Sequence, residues 1–220
     1  MRNAVALLAL SVATVFVATG DVAGRIPRPS VMQESWQLEF KFKNLVPLRL
    51  KVGGEVKLYW YLRYTVINRT GQDRTFTPAF TLYSEKGTLL QAGRNVPRQA
   101  YQFIKRRHNN PMLRSPVGMM GKLLQGEDNA KHGIAVWPDF DADSGSVDIF
   151  VGGLSGEVQE IRLPTPIRKT LKTAEGGEKV IVKDSLVLSK TLKLHFEIPG
   201  AAEARHRVTP KLTDGRWVMR

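Results

Sequence analysis

Trp36, Leu38, Phe40 and Phe42 alternate with Gln37, Glu39, Lys41 and Lys43. A period of two marks a strand with one face buried. Leu48 and Leu50 carry the pattern past Pro47, and Gly53-Gly54 supplies a turn. The next run, VKLYWYLRYTVIN, places Val56, Leu58, Trp60, Leu62, Tyr64 and Val66 on one face and Tyr59, Tyr61, Thr65 and Ile67 on the other. β-Branched and aromatic residues on both faces predict a central strand covered from two sides. Asn68-Arg69-Thr70-Gly71 closes it with residues that tolerate positive φ. Phe76, Pro78, Phe80 and Leu82 predict a return strand, part of which Pro78 demotes to an edge or a bulge. Glu85-Lys86-Gly87 is a further turn, after which Thr88 to Gln91 is expected to pair back.

The period then changes. Val96, Ala100, Phe103 and Ile104 fall on one helical face, with Arg98, Gln102, Lys105 and Arg106 opposite. A short helix over about 95–108 follows, opened by Asn95 and Pro97 and closed by Asn109-Asn110-Pro111. Pro116, Gly118 and Gly121 punctuate the apolar stretch from Met112 to Leu124, which reads as loop with a short strand. Strand patterns resume at Ile134 to Trp137, Val147 to Val151 and Val158 to Leu163. Glu178 to Val182 and Ser185 to Ile198 read as a late hairpin. Gly200 to Thr209 is polar and basic, and Trp217 to Met219 is either a last strand or a docked end. Many short strands with frequent turns argue for a mainly β protein, a sandwich or a barrel, with one inserted helix.

The first twenty residues follow another rule. Arg2 precedes an uncharged run of 17 residues, Ala4 to Gly20, and Ala18-Thr19-Gly20 offers small residues before Asp21. This is the pattern of a secretory signal cleaved before Asp21, the alternative being an uncleaved anchor at the short end of spanning length. The layout expected is a signal over 1–20, a Pro-containing linker over 21–34, a β-sandwich domain over 35–199 and a basic tail over 200–220. The chain has no cysteine. That excludes disulfides, a thiol nucleophile and a Cys-based metal site, and with export it suits a secreted or periplasmic protein of a bacterial envelope.

YWYLRYTVINRTGQDRTF, FTLYSEKG, GIAVW and VDIFVGGLSG, with the closing KTLKLHFEIPG and RWVMR, resemble an uncharacterised family of secreted proteins from planctomycete-type bacteria. The layout is similar, more distantly, to the immunoglobulin-like domains of secreted bacterial lipoproteins. The resemblance implies an immunoglobulin-like antiparallel β-sandwich and brings no catalytic residue with it. The lipid-bearing cysteine of the lipoproteins has no counterpart here.

Charge adds a candidate surface. The net charge is +13, and from Lys86 to Gly126 there is no acidic residue against eight basic ones. Arg98, Lys105, Arg106, Arg107 and Arg114 in this stretch are candidates for binding a polyanion, because clustered cations attract phosphate or sulfate oxygens and release counterions. The plainer reading is a solvated face whose cations complement a helix C-terminus. Aromatics are not interleaved with these cations, no nucleic-acid fold signature is present, and nucleic acid is not expected as a partner. An envelope protein or an anionic polymer is.

Asp139, Asp141 and Asp143 precede Gly145 at alternate positions, a spacing some calcium loops use; the alternative is a solvated turn between strands. Ser144 and Phe150 stand where a helix–loop–helix calcium site needs Gly and Glu. No other cofactor is expected. His108, His132, His195 and His206 are scattered without helical zinc spacing. Gly152-Gly153-Leu154-Ser155-Gly156 lacks the second glycine and the following helix of a nucleophile elbow. Asn68-Arg69-Thr70 is a formal glycosylation acceptor coinciding with a turn. The sequence therefore predicts an exported, non-catalytic binding or structural module of the cell envelope, the alternative being a calcium- or polyanion-dependent adhesion protein.

Overall fold

A computed structural model describes residues 36–172 and 178–220. The expected signal and linker lie outside the described residues. The chain runs through β1 (Glu39–Phe42), β2 (Val46–Val52), β3 (Glu55–Asn68), β4 (Arg74–Phe76), β5 (Ala79–Ser84) and β6 (Leu89–Gln91). Helices α1 (Arg98–Arg107) and α2 (Pro116–Met119) follow, then β7 (Gly121–Leu123), β8 (Gly126–Pro138), β9 (Ser146–Gly152), β10 (Val158–Lys172) and β11 (Glu178–Glu197). A 3-10 turn over Ala202–Arg207 leads into β12 (Lys211–Met219). The protein is mainly β, and its strand pairs are antiparallel.

Sheet one is built around β3. One edge of β3 pairs with β2 along its first half and with β1 along its second; the other edge pairs with β8. β2 and β3 join through Gly53 and Gly54, both with positive φ, the requirement of the two-residue turn that matches strand twist. As the alternation predicts, β3 is buried on both sides. Trp60, Leu62, Tyr64 and Val66 enter the main core; Tyr59 and Tyr61 face a second core with Leu48, Ile134, Val136 and, from α1, Ala100 and Ile104. The aromatics Tyr59, Trp60, Tyr61 and Tyr64 are thus core residues, all under a twentieth exposed.

Sheet two runs β6-β5-β9-β11, with β12 on the far edge of β11. Phe80, Leu82, Ile149, Val151, Leu194 and Phe196 project from it into the main core against sheet one. The layers are therefore α1, sheet one and sheet two, with an apolar core in each gap.

Several expectations are corrected. The return strand does not pair with β3. At Thr77-Pro78 the chain crosses to sheet two, where β5 pairs with β9, while β4 pairs with β7. Proline cannot donate to a ladder and is excluded from a central strand, so the break falls there. The inserted helix is not single: Pro116–Met119 is helical, with Ser115 accepting from the Gly118 amide, and Gly121–Leu123 is the short strand. Glu178–Val182 and Ser185–Ile198 are not the two legs of a hairpin but one strand, β11, whose antiparallel partner is β10 from Val158 to Lys172. Nothing at Lys183-Asp184 forces a turn, and cross-strand pairing keeps both residues extended. The basic segment after Gly200 forms the 3-10 turn that buries Arg205, and β12 adds to sheet two.

Candidate anion-binding surface

Helix α1 carries no acidic residue in its first turn and Lys105, Arg106 and Arg107 in its last. Cations at this end complement the helix dipole; Lys105 and Arg106 lie on the face opposite the buried Ala100 and Ile104, while Arg107 follows Ile104 at i+3 and projects from the helix end. Arg98, Arg106, Arg107 and Arg114 are exposed and Lys105 is half-buried. Among the described residues none of the five has a carboxylate partner within ion-pair distance.

Residues from other elements complete the surface. A groove of about 310 Å³ is lined by Lys41, Lys43, Arg63, Thr65, His132 and Asn110, among others. A second hollow, lined by Gln102, Lys105, Arg106, Asn109, Asn110 and Pro111, shares Asn110 with it. The residues from the helix and those from sheet one thus flank one asparagine. Arg63 and Arg107 both act on His108, whose ring lies 2.9 Å from the Tyr61 hydroxyl. Burial first, and then these two guanidinium groups, hold the His108 pKa below the usual imidazole value. Arg114 acts likewise on Lys131, whose pKa is lowered mainly by burial. Of the cations lining the groove Lys41 is compensated: it lies 3.1 Å from Glu39, which with Glu127 also takes Arg69 at 2.7 Å. The cations on the helix side have no such compensation, so an anion arriving there meets an uncompensated positive field.

Arg63, Lys43 and Asn110 escaped sequence reasoning as parts of this surface. Arg63 carried a signal: it is the only charged residue of β3 after Lys57, in a run that is otherwise apolar or aromatic.

The aspartate loop is occupied from within. Arg205, 3 % exposed, lays its guanidinium 4.2 Å from the Phe140 ring centre and 5.3 Å from that of Trp60. It donates to the Asp141 carbonyl, and its Nε lies 3.6 Å from Asp139 Oδ1. Asp139 also accepts from Trp60 Nε1 at 2.7 Å, and the Asp141 carboxylate accepts from Ser84 and Thr88. These two hydroxyl bonds hold the Asp141 pKa below the usual carboxylate range. Burial pulls Arg205 downward while Asp139, Asp141 and Asp143 push it up. Among the described residues no three His, Asp or Glu side chains are grouped as metal ligands. Asp139 and Asp141 are thus engaged by Arg205, Trp60, Ser84 and Thr88, and Asp143 adds negative charge near the guanidinium.

The remaining candidates are also placed. His132 bonds Thr65, His195 lies 2.7 Å from Asp148, and His206 lies beside Arg207; the histidines do not converge. Ser155 donates to the Trp36 carbonyl and accepts from the Glu157 amide, as a turn residue would. Asn68 is fully buried, its amide donating to the Gln72 and Leu123 carbonyls and accepting from Thr70, so it is closed to glycosylation in the folded protein. No helix among the described residues is long and apolar enough to cross a membrane. Comparison of the chain with protein-family models, curated proteins and solved structures finds no match in any of the three.

Proposed function

We propose that this chain is an exported, non-catalytic β-sandwich of the immunoglobulin-like kind that binds an anionic polymer of the cell envelope through the face formed by α1 and the adjoining groove. One observation carries the reading: Arg98, Arg106, Arg107 and Arg114 are exposed and lack carboxylate partners among the described residues, and the hollow lined by Lys105 and Arg106 meets the groove lined by Lys43 and Arg63 at Asn110. Maintaining uncompensated like charges costs self-repulsion, which a polyanion would relieve. The export pattern in the first twenty residues supports an envelope partner over a nucleic acid.

The test is retention on heparin and binding of polyphosphate as a function of salt. Binding should weaken steeply as salt rises. Arg106→Glu with Arg107→Glu should lower affinity at least tenfold, and Arg63→Glu several-fold. Retention unchanged in the double variant would refute the assignment.

A further inference from the structure

Helix α2 is a single turn, anchored on one side and apolar on the other. Ser115 caps it, accepting from the Gly118 amide at 3.2 Å, and Pro116 presets φ at its first position. Pro116 and Met119, three residues apart, are buried, and Met119 belongs to the main core. Val117 and Met120 have the same spacing and face out, the Met120 amide donating to the Val117 carbonyl at 3.2 Å. Val117 is 74 % exposed, the most of any large apolar side chain among the described residues, and Met120 is 49 % exposed. Both flanks of the turn are fixed. Just before it, Arg114 donates to the His132 carbonyl at 3.0 Å and accepts from the Ile134 amide at 2.8 Å; just after it, β7 pairs with β4. Single exposed apolar residues are ordinary, but two neighbours held outward on one fixed turn form a patch.

Cations stand at both ends of the turn. Arg114 leads into it, and a Cβ built on Gly118 would lie 3.5 Å from the Arg114 Cβ. Lys131 reaches its far end, the ammonium donating to the Lys122 carbonyl at 2.7 Å. Lys122 itself is held by Asp73 at 2.9 Å. Among the described residues neither Arg114 nor Lys131 has a carboxylate within ion-pair distance. From Met112 to Lys131 the acidic residues are Glu127, which Arg69 takes at 2.7 Å, and Asp128.

We propose that the α2 turn is an interfacial anchor, which sets Val117 and Met120 into the surface of an anionic lipid bilayer while Arg114 and Lys131 meet the lipid phosphates. The pairing of the two chemistries selects the bilayer. A soluble polyanion satisfies the cations and leaves the apolar pair in water. A bilayer presents anions at its surface and hydrocarbon just beneath, and long basic side chains reach the first while a neighbouring apolar tip enters the second. A small apolar anchor alone binds membranes marginally and reversibly, and basic residues close to the surface supply the second attraction that docking needs. The chain's net charge of +13 draws it toward such a surface from a distance. The contact is interfacial, since no described helix is long and apolar enough to cross a membrane.

The chain has no cysteine, so one introduced at position 117 is labelled alone. Full-length Val117→Cys, carrying a small environment-sensitive fluorophore, is titrated with vesicles of equal parts phosphatidylglycerol and phosphatidylcholine. Its emission should shift to the blue with these vesicles and hold with phosphatidylcholine alone, and the lipid concentration giving half the shift should rise with salt. Met120→Glu in the labelled chain should raise that concentration about tenfold or more, and Arg114→Gln with Lys131→Gln several-fold, with the melting temperature unchanged. The same label on Gln91→Cys, exposed on β6 of sheet two, should not respond. A label at position 117 that is silent with the anionic vesicles overturns the proposal, as does an equal response at position 91, to neutral vesicles, or after Met120→Glu. A shift produced by an envelope protein and not by vesicles assigns the turn to a protein partner and overturns it too. The readout is local, so lipid binding by the apolar run from Ala4 to Gly20 does not imitate it. Heparin retention reads Arg106 and Arg107, so either reading can fail while the other stands.

Discussion

The ring of Tyr64 occupies the space in which any side chain at Gly133 would begin. The two residues pair directly across β3 and β8, and a Cβ built on Gly133 would stand 2.2 Å from Tyr64 Cζ. Tyr64 is 2 % exposed and packs on Phe40 and Phe80, so it has nowhere to retreat. Burial raises its pKa well above the ordinary phenol value. Gly133→Ala should lower stability by about 2–3 kcal/mol through overpacking. Adding Tyr64→Leu should recover part of that loss, a non-additivity that urea unfolding of the single and double variants would measure.

Asn68 closes the turn after β3 with its side chain rather than its backbone. Its amide nitrogen donates to Gln72 at 2.8 Å and to Leu123 at 2.9 Å. Asn68→Asp replaces that donor with an oxygen facing two carbonyls in a fully buried site, and should cost about 3 kcal/mol. Thr70→Ala removes a partly exposed hydroxyl that donates toward Asn68 and Gln72 and accepts from Arg74, and should cost about 1 kcal/mol. The difference in urea midpoint between the two variants is the measurement.

Arg205 holds the loop that carries Asp139, Asp141 and Asp143. Arg205→Ala leaves these carboxylates without their cation and uncovers Phe140 and Trp60, which should cost about 3 kcal/mol. Arg205→Lys should not restore the loss, because an ammonium cannot stack flat on two rings. Melting of the wild type should be unmoved by millimolar calcium or EDTA, since a guanidinium already holds the ground a metal would need. A calcium-dependent rise in melting temperature would overturn this account of the loop.

His108 makes stability sensitive to mild acid. Burial, then Arg63 and Arg107, keep its folded pKa below the ordinary 6.5. The unfolded chain therefore takes up a proton, as pH falls through about 6.5, that the folded protein still refuses. Stability from this group is complete above that value and is lost as pH drops toward the depressed folded pKa. His108→Gln should flatten the fall in urea midpoint between about pH 7 and pH 5.5.

What could be read from the sequence was local. The alternation from Val56 to Val66 announces a strand buried on both sides, because both faces are written within eleven consecutive residues. The face of α1 is equally legible from Ala100 and Ile104. Pairing partners are not local, and there the reading failed. Pro78 signals a break but not that β5 leaves β3 for the other sheet. Nothing in EKVIVKDSLVLSKTLKLHFE distinguishes a hairpin from one long strand, since its partner lies before Lys172. Arg205 is the sharpest case. In a basic, polar segment a cation is expected at the surface, and only contacts with Asp139 and Phe140, more than sixty residues earlier, draw it inside. The cationic surface was half visible: Arg98, Arg106, Arg107 and Arg114 lie in an acid-free stretch, but Lys43 and Arg63 join them only through the fold.

The twenty residues of β11 pair with β10 along their first half, where the two strands form an arm, and with β9 and β12 in the body along their second. A strand of that length spans about 65 Å without interruption. Its hydrogen bonds to β9 and β12 run perpendicular to its axis, as antiparallel ladders require. A pull on the arm along that axis therefore loads those bonds together, in shear, rather than opening them one at a time like a zipper. The same strand that offers a place to be held is clamped between two neighbours, and tension applied outside the body is delivered straight into its centre.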